Sequence, residues 1–252
     1  MRIATFNIEH GEAAVGSERH GEVPDAKSLV RLADELRALD LDVLCLQEVD
    51  QGQRRSGGLN QAEILARELG MHHHRFAAFF QGWVGGLRFQ PLRSDAGGRM
   101  AFGIATLSRL PVTSWHVNTM GRAVPKVKTI PGSGWRPSDR FALVDTSRTL
   151  LAARVITEEG PVAVANTHLV PDIPVAKQQL IEVMDSLATL AGPVVLAGDL
   201  NLEPRDVVVP SMREFATAHT FSNARPTRQI DHVLGSPEIR VRGSGAESLS
   251  FS

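Results

Sequence analysis

Four apolar runs of this chain end in residues that can bind cations, hold anions or move protons. Asn7 follows Ile3-Ala4-Thr5-Phe6, and Gln47-Glu48 follow Val43-Leu44-Cys45-Leu46. Asn166-Thr167-His168 follow Val162-Ala163-Val164-Ala165, and Asp199 and Asn201 flank Leu200 after Val194-Val195-Leu196-Ala197-Gly198. A fifth run, Gln229 to Leu234, is interrupted by Asp231-His232. Carboxylates at the ends of buried strands lose hydration, so a partner or a metal is expected beside them. Each group alone has a plainer role: a solvated turn for Glu48, a loop for Gly198-Asp199-Leu200-Asn201, a helix cap for Asn166-Thr167-His168. Their recurrence predicts one shared polar cluster at one rim of the fold. Cys/His spacing of a zinc site is absent.

The elements that must position these residues are legible in outline. Runs of apolar and β-branched residues predict strands over Arg2 to Ile8, Asp42 to Val49, Met100 to Ser108, Leu150 to Thr157, Val162 to His168, Val194 to Ala197 and Gln229 to Leu234. A weaker candidate runs from Ile239 to Phe251. Leu29, Leu32, Leu36 and Leu39 recur at helical spacing and predict a helix over Asp25 to Leu39, capped by Asp25. A second helix is expected over Asn60 to Leu69, with Asn60 and Glu63 as a capping pair and Gly70 as its stop. A third is expected over Val175 to Leu190. Strand, helix and strand lead from Asn7 to Glu48 and again from His168 to Asp199, which predicts two similar halves. Two mixed sheets packed face to face with helices outside give a four-layer α/β/β/α sandwich, an α+β fold forming a single domain over 1–252.

Composition narrows the partners. The chain has 252 residues and a formal net charge of -1, whereas proteins that live on duplex DNA usually carry a basic field. Tyr is absent and aromatics make up 5%, so stacking platforms are few; Trp83, Trp115 and Trp135 are the candidates. The lone Cys45 reads as a core hydrophobe. No apolar run approaches the ~20 residues of a membrane span, and Met1 to Phe6 opens directly as a strand, so a cytoplasmic protein is expected. His72-His73-His74 reads as a solvated turn, and Gly85-Gly86 and Gly97-Gly98 lack the Lys and helix start of a P-loop. His116 to Arg140 has no period and reads as a long surface loop or a substrate rim.

Taken in order, Thr5-Phe6-Asn7-Ile8, Leu46-Gln47-Glu48-Val49, Asn166-Thr167-His168-Leu169, Gly198-Asp199-Leu200-Asn201 and Gln229-Ile230-Asp231-His232-Val233-Leu234 resemble the signature of the endonuclease/exonuclease/phosphatase superfamily, the deoxyribonuclease I-like proteins. Weaker similarity lies in Arg54 to Gly70, Leu107 to Pro111 and Arg148 to Ala153. The resemblance implies a Mg²⁺-dependent phosphoester hydrolase, with Mn²⁺ as a substitute. Glu48 is then the leading metal ligand, and Asn7 a neighbouring oxygen donor or a hydrogen-bond partner. Asp199 would orient or deprotonate the attacking water, and Asn201 would donate to the phosphate. His168 would contact phosphate or act as a general acid, and Asp231 would orient a catalytic histidine. A small or lipid-derived phosphoester is favoured over nucleic acid on charge; a DNA or RNA nuclease and a catalytically silent binding module are the alternatives.

The resemblance also has departures. In the family a Ser-Asp-His segment follows one further strand. Ser252 falls where that Ser stands, so the Asp, the His and a last core strand are expected beyond the residues given, and the sequence reads as an incomplete piece. His232 then occupies a position often held by Tyr and is expected to pack rather than react. Ile104 stands where many relatives have Asn, and Asn60 where Asp is common.

Overall fold

In this computed structural model the described residues are 1–13, 16–84, 88–89, 100–121, 126–129, 141–144, 147–222, 225–247 and 249, with the backbone alone described at 88–89, 126–129 and 141–144. Along the chain they form β1 (Ile3–Asn7), α1 (Ala26–Arg37), β2 (Val43–Gln51), α2 (Gln61–Leu69), β3 (His73–Gly82), β4 (Arg88–Phe89), β5 (Ala101–Ser108), β6 (Val112–Met120), β7 (Lys126–Thr129), β8 (Phe141–Val144), β9 (Arg148–Thr157), β10 (Gly160–His168), α3 (Ile173–Leu187), β11 (Val194–Asp199), β12 (Arg213–Glu214) and β13 (Asp231–Gly235).

The strands make two principal sheets. One has the order β1-β2-β5-β3-β4 and the other β12-β13-β11-β10-β9-β6, with β7-β8 as a separate ribbon. Each is mixed: β1/β2 and β10/β11 run parallel, and the remaining pairs antiparallel. The parallel pairs are the two strand-helix-strand units read from the sequence, crossed over by α1 and by α3.

Three apolar layers hold the sandwich. Leu29, Leu32 and Leu36 of α1 and Leu65 of α2 pack on Leu44, Leu46 and Leu107, on the outer face of the first sheet. Leu180, Val183 and Leu187 of α3 pack on Ala163, Ala165 and Leu196, on the outer face of the second. Between the sheets Val43 and Cys45 meet Ala153, Val155, Val164 and Ala197. The four-layer α/β/β/α arrangement is therefore present. Burial of Cys45 pushes its thiol up to about 12, so it packs as the small hydrophobe expected.

Caps set the helix starts. The Asp25 carboxylate accepts from Ser28 N at 2.8 Å while Ser28 Oγ accepts from Asp25 N, a reciprocal capping box. Asn60 caps α2 through Glu63 N, and Gly70 ends it in the left-handed conformation. Helix α3 starts at Ile173, two residues before the sequence expectation, because Asp172 caps it and Pro174 fits the first turn.

Other expectations are corrected. His73 and His74 open β3 rather than lie in a turn. His116 to Met120 belong to β6, and β7 lies within what reads as one long loop from His116 to Arg140, pairing with β8 just beyond it. Trp135, the pairs Gly85-Gly86 and Gly97-Gly98, and Ser252 lie outside the described residues. Between Ile239 and Leu249 no strand forms among the described residues. Instead this stretch lines an open groove of about 2200 Å³ alongside β1. No helix among the described residues is long and apolar enough to cross a membrane.

Candidate active site

The strand registers assemble the site. On the second sheet His168 closes β10 and is paired with Asp199 at the end of β11, and Asp199 is paired with Asp231 at the start of β13. Directly paired residues project on the same face, so His168, Asp199 and Asp231 form a row across three adjacent strands. Gly198 allows the tight approach beneath them, since a Cβ there would come within 2.1 Å of Thr167 O.

The first sheet brings the opposing residues. Asn7 ends β1, and Glu48 sits where β2 carries one extra residue against β5, between Leu46 and Val49. Such a bulge breaks the alternation of the strand and re-aims a side chain. Glu48 adopts φ +53 there, a left-handed conformation uncommon for a non-glycine residue. Next to it β3 carries its own extra residue against β5, between Ala78 and Phe80, which sets Phe79 edge-on to His168 with ring centroids 6.0 Å apart.

Asn7 ties the two sheets. Its Nδ2 donates to Glu48 Oε1 at 3.1 Å and to Asp199 Oδ2 at 3.2 Å, while its Oδ1 accepts from Glu9 N at 3.0 Å. The side-chain oxygen is thus already engaged, which favours the hydrogen-bonding role of the two expected for Asn7. Asn201, also left-handed at φ +51, donates its backbone N–H to Asp199 Oδ1 at 2.9 Å and its Nδ2 to Leu169 O at 2.8 Å. An amide nitrogen carries two protons, so one N–H of Asn201 is left for an anionic oxygen.

The electrostatics are unusual for carboxylates. Burial raises the pKa of Asp199, and the charge of Asp231 raises it further, against the hydrogen bond from Asn7. Burial likewise raises Asp231, although Thr220 and His232 pull it down. Oδ1 of Asp231 is sealed from solvent without a hydrogen-bond partner among the described residues. His168 is pushed down to about 3 by burial and then by the charge of Arg148, so its imidazole is neutral in the resting site. Its Nε2 lies 3.6 Å from Asp199 Oδ2, a contact beyond hydrogen-bond range.

A second polar layer lies beneath and is buried. Gln47 Nε2 donates to Asn166 Oδ1 at 2.8 Å, and Asn166 Nδ2 donates to Leu46 O at 3.1 Å and Ala105 O at 2.8 Å. These residues of the motifs are rivets between the sheets, not reactants. His232 is buried, in keeping with a packing rather than a reacting residue. It does not merely pack: Nε2 lies 2.8 Å from Leu202 O and Nδ1 2.7 Å from Glu214 Oε2, which ties the loop after Asp199 to β12 and β13. Arg148 and Phe79 had no role in the sequence reading; Arg148 falls in a segment noted only for its similarity, and Phe79 in a strand that was not recognised.

The donor set suits a hard cation. Glu48, Asp199 and Asp231 offer carboxylate oxygens, one of them orphaned and another strained toward protonation, as expected of groups that gain from a positive charge. Among the described residues no three His, Cys, Asp or Glu side chains come together closely enough to hold a metal ion, so Glu48, Asp199 and Asp231 do not converge as one three-carboxylate site. Mg²⁺ does not need one, because it keeps several waters and takes one or two carboxylates.

Two mixed sheets packed face to face, with a polar rim of Asn, Glu, His and Asp at the strand ends, define a deoxyribonuclease I-like sandwich. The chain belongs to the Endonuclease/Exonuclease/phosphatase family, whose sequence model matches residues 4–250. Its fold is similar to an endonuclease/exonuclease/phosphatase from Beutenbergia cavernae, with 24% identity, TM-score 0.59, and 94% of this chain and 64% of that chain covered. It is similar to a mannosyl-6-phosphatase from Bacteroides thetaiotaomicron at 16% identity and TM-score 0.59, covering 94% and 85% of the two chains. It also resembles truncated TDP2 from Caenorhabditis elegans at 17% identity and TM-score 0.52, covering 94% and 84%. This chain thus spans under two thirds of the length of the Beutenbergia protein. No curated protein sequence gives a significant match. Members of the superfamily are hydrolases acting on phosphoester bonds.

Proposed function

We propose that this protein is a divalent-metal-dependent phosphoester hydrolase acting on a small or lipid-derived phosphoester. The observation that carries this reading is the meeting of Asn7, Glu48, His168, Asp199, Asn201 and Asp231 at one rim, with Asn7 within hydrogen-bond reach of carboxylates on both sheets. Glu48 would hold Mg²⁺, or Mn²⁺ in its place. Bound there, the cation would draw charge from the phosphoryl and leaving oxygens.

The chain's own groups account for the rest. Asp199 orients the attacking water, and its raised pKa makes it a better proton acceptor than an ordinary carboxylate. The remaining N–H of Asn201 stabilises charge that grows on a phosphoryl oxygen. His168, neutral at rest, contributes a ring N–H to the phosphate in preference to the acid role, since so little imidazolium is present. Asp231 supports the pair by raising the basicity of Asp199. The formal net charge of -1 supports a small substrate over duplex DNA.

The test is release of nitrophenol from bis(p-nitrophenyl) phosphate and p-nitrophenyl phosphate with Mg²⁺ and with chelator, beside nicking of plasmid DNA at low salt. Metal-dependent turnover of the small esters that exceeds nicking is expected. Efficient nicking with inert small esters would replace this reading with the nuclease one, and inertness toward all of them would remove it.

A further inference from the structure

A short 3-10 turn, Arg54–Ser56, follows β2, the strand that carries Glu48, and holds Arg55. Its guanidinium is fixed on two sides. Nε donates to Asp50 Oδ2 and Nη2 to Asp50 Oδ1, both at 2.9 Å, and Asp50 is fully buried. The guanidinium carbon stands 4.9 Å from the centroid of the Phe102 ring. Phe102 is edge-on to Phe79 at 5.6 Å, and Phe79 is edge-on to His168 at 6.0 Å, so an aromatic ladder leads from Arg55 to the catalytic histidine. Asp50 follows Glu48 by two residues across the bulge of β2. On the β1 side His10 is near enough that the charge of Arg55, after burial, lowers its pKa.

The side chain nevertheless remains 31% exposed, and among the described residues no acceptor meets Nη1. A guanidinium has five donors in a rigid fork, and here only one edge of the fork is engaged. Ring and carboxylate fix its plane in advance, so an anion arriving at the open edge meets a donor that loses little freedom on binding. Stability alone is a weak reason for such a pair, because desolvation offsets much of the attraction between buried ions.

We propose that Arg55 forms a second anion subsite beside the catalytic pocket and selects phosphoesters whose substrate carries a second phosphate. The inference rests on the hydrolase reading above. A sugar or other polyol bisphosphate would place one phosphate at His168 and Asn201 and the other at the open edge of Arg55, while the buried Phe79 and the partly buried Phe102 hold the two ends from beneath.

Calorimetric binding of a sugar bisphosphate and of the matching sugar monophosphate tests this without requiring turnover. The wild-type protein is expected to bind the bisphosphate at least about tenfold more tightly, in line with a charge-assisted bidentate contact. Arg55→Gln strands the buried Asp50, so the double variant Asp50→Asn/Arg55→Gln is compared as well, with folding checked by circular dichroism. In either folded variant the ratio of the two affinities should fall toward one. Equal wild-type affinities, or a ratio that survives in the double variant, would overturn the subsite. Retention of the ratio in a wild-type protein that hydrolyses neither compound would instead count against the hydrolase reading and leave the subsite standing.

Discussion

Asp199 and Asp231 face each other across the β11–β13 ladder, two carboxylates held side by side on antiparallel strands with Asn7 donating to the first. Burial and the charge of Asp231 raise Asp199 from its usual value to about 7. A carboxyl whose folded pKa exceeds its unfolded one binds more protons when folded, so stability is lost as pH rises from the ordinary carboxylate range through the folded pKa. Asp231→Asn relieves that repulsion. Without metal, it should melt at a higher temperature than wild type at pH 8, and the difference should shrink toward pH 5. Phosphoester hydrolysis should fall about 10²–10⁴-fold, the range of a lost acid-base partner. A lower melting temperature at pH 8 would count against a repelling pair.

Mg²⁺ should relieve the same repulsion by binding. Saturating metal at about 100 times its dissociation constant stabilises a folded state by about 2.7 kcal/mol. The melting temperature should therefore rise with Mg²⁺, more at pH 8 than at pH 5.5, where protons compete for the carboxylates. Glu48→Gln should lose most of the rise. Differential scanning fluorimetry reads both comparisons.

His168 is depressed to about 3, so its imidazole should stay neutral from pH 5 to pH 8 in the protein without metal. Its ring nitrogens, followed by NMR in a ¹⁵N-labelled sample, should show no titration across that interval. His168→Gln should reduce turnover by about 10²–10³-fold, as when one donor to a developing anion is removed. The acid limb of the pH-rate profile should stay in place, because His168 is not the group that titrates.

His232→Phe tests whether the buried imidazole is structural cement or filler. The ring nitrogens lie within 2.8 Å of Leu202 O and Glu214 Oε2, which a phenyl group would leave without partners. The Leu202 carbonyl, buried and stranded in this way, costs about 1–3 kcal/mol, whereas Glu214 on the exposed β12 can turn to water. Urea unfolding should show that loss, and a neutral result would return His232 to the packing role expected from sequence.

Asn166→Leu should be at least as harmful. Its amide serves Leu46 O, Ala105 O and Gln47 Nε2, three groups in the dry layer between the sheets. A loss of about 1–3 kcal/mol for each stranded group is expected in the same urea experiment, before any effect on chemistry.

The site was legible wherever an apolar run stopped at a polar residue, because that signal is local. Asn7, Glu48, His168 and Asp199 all carry it, Asp231 instead interrupts its run, and the parallel pairing within each strand-helix-strand unit follows from the crossover helix. What escaped depends on distant partners. β3 opens with His73-His74-Arg75, residues that do not read as a strand until β5 pairs with them. β6 lies at a sheet edge, where polar residues such as Thr113 and Ser114 are exposed and the apolar alternation is diluted. The bonds of His232 reach 18 and 30 residues away, so its type suggested packing while its neighbours made it a tie. Arg55 and Asp50 are close in sequence, yet only Phe102 reveals which way the guanidinium lies.

The additional residue in β2 gives that strand a rule about length that substitutions would not disclose. Leu44, Leu46 and Val49 all face the helices, although the interval from Leu46 to Val49 is odd. Shortening this stretch by one residue would make that interval even, so unbroken alternation would leave Val49 toward the helices and remove only the bulge that aims Glu48. A single-codon deletion between Leu46 and Val49 would therefore spare the packing of the strand and Arg55's anchor, and act on the rim alone by straightening the backbone that presents Glu48.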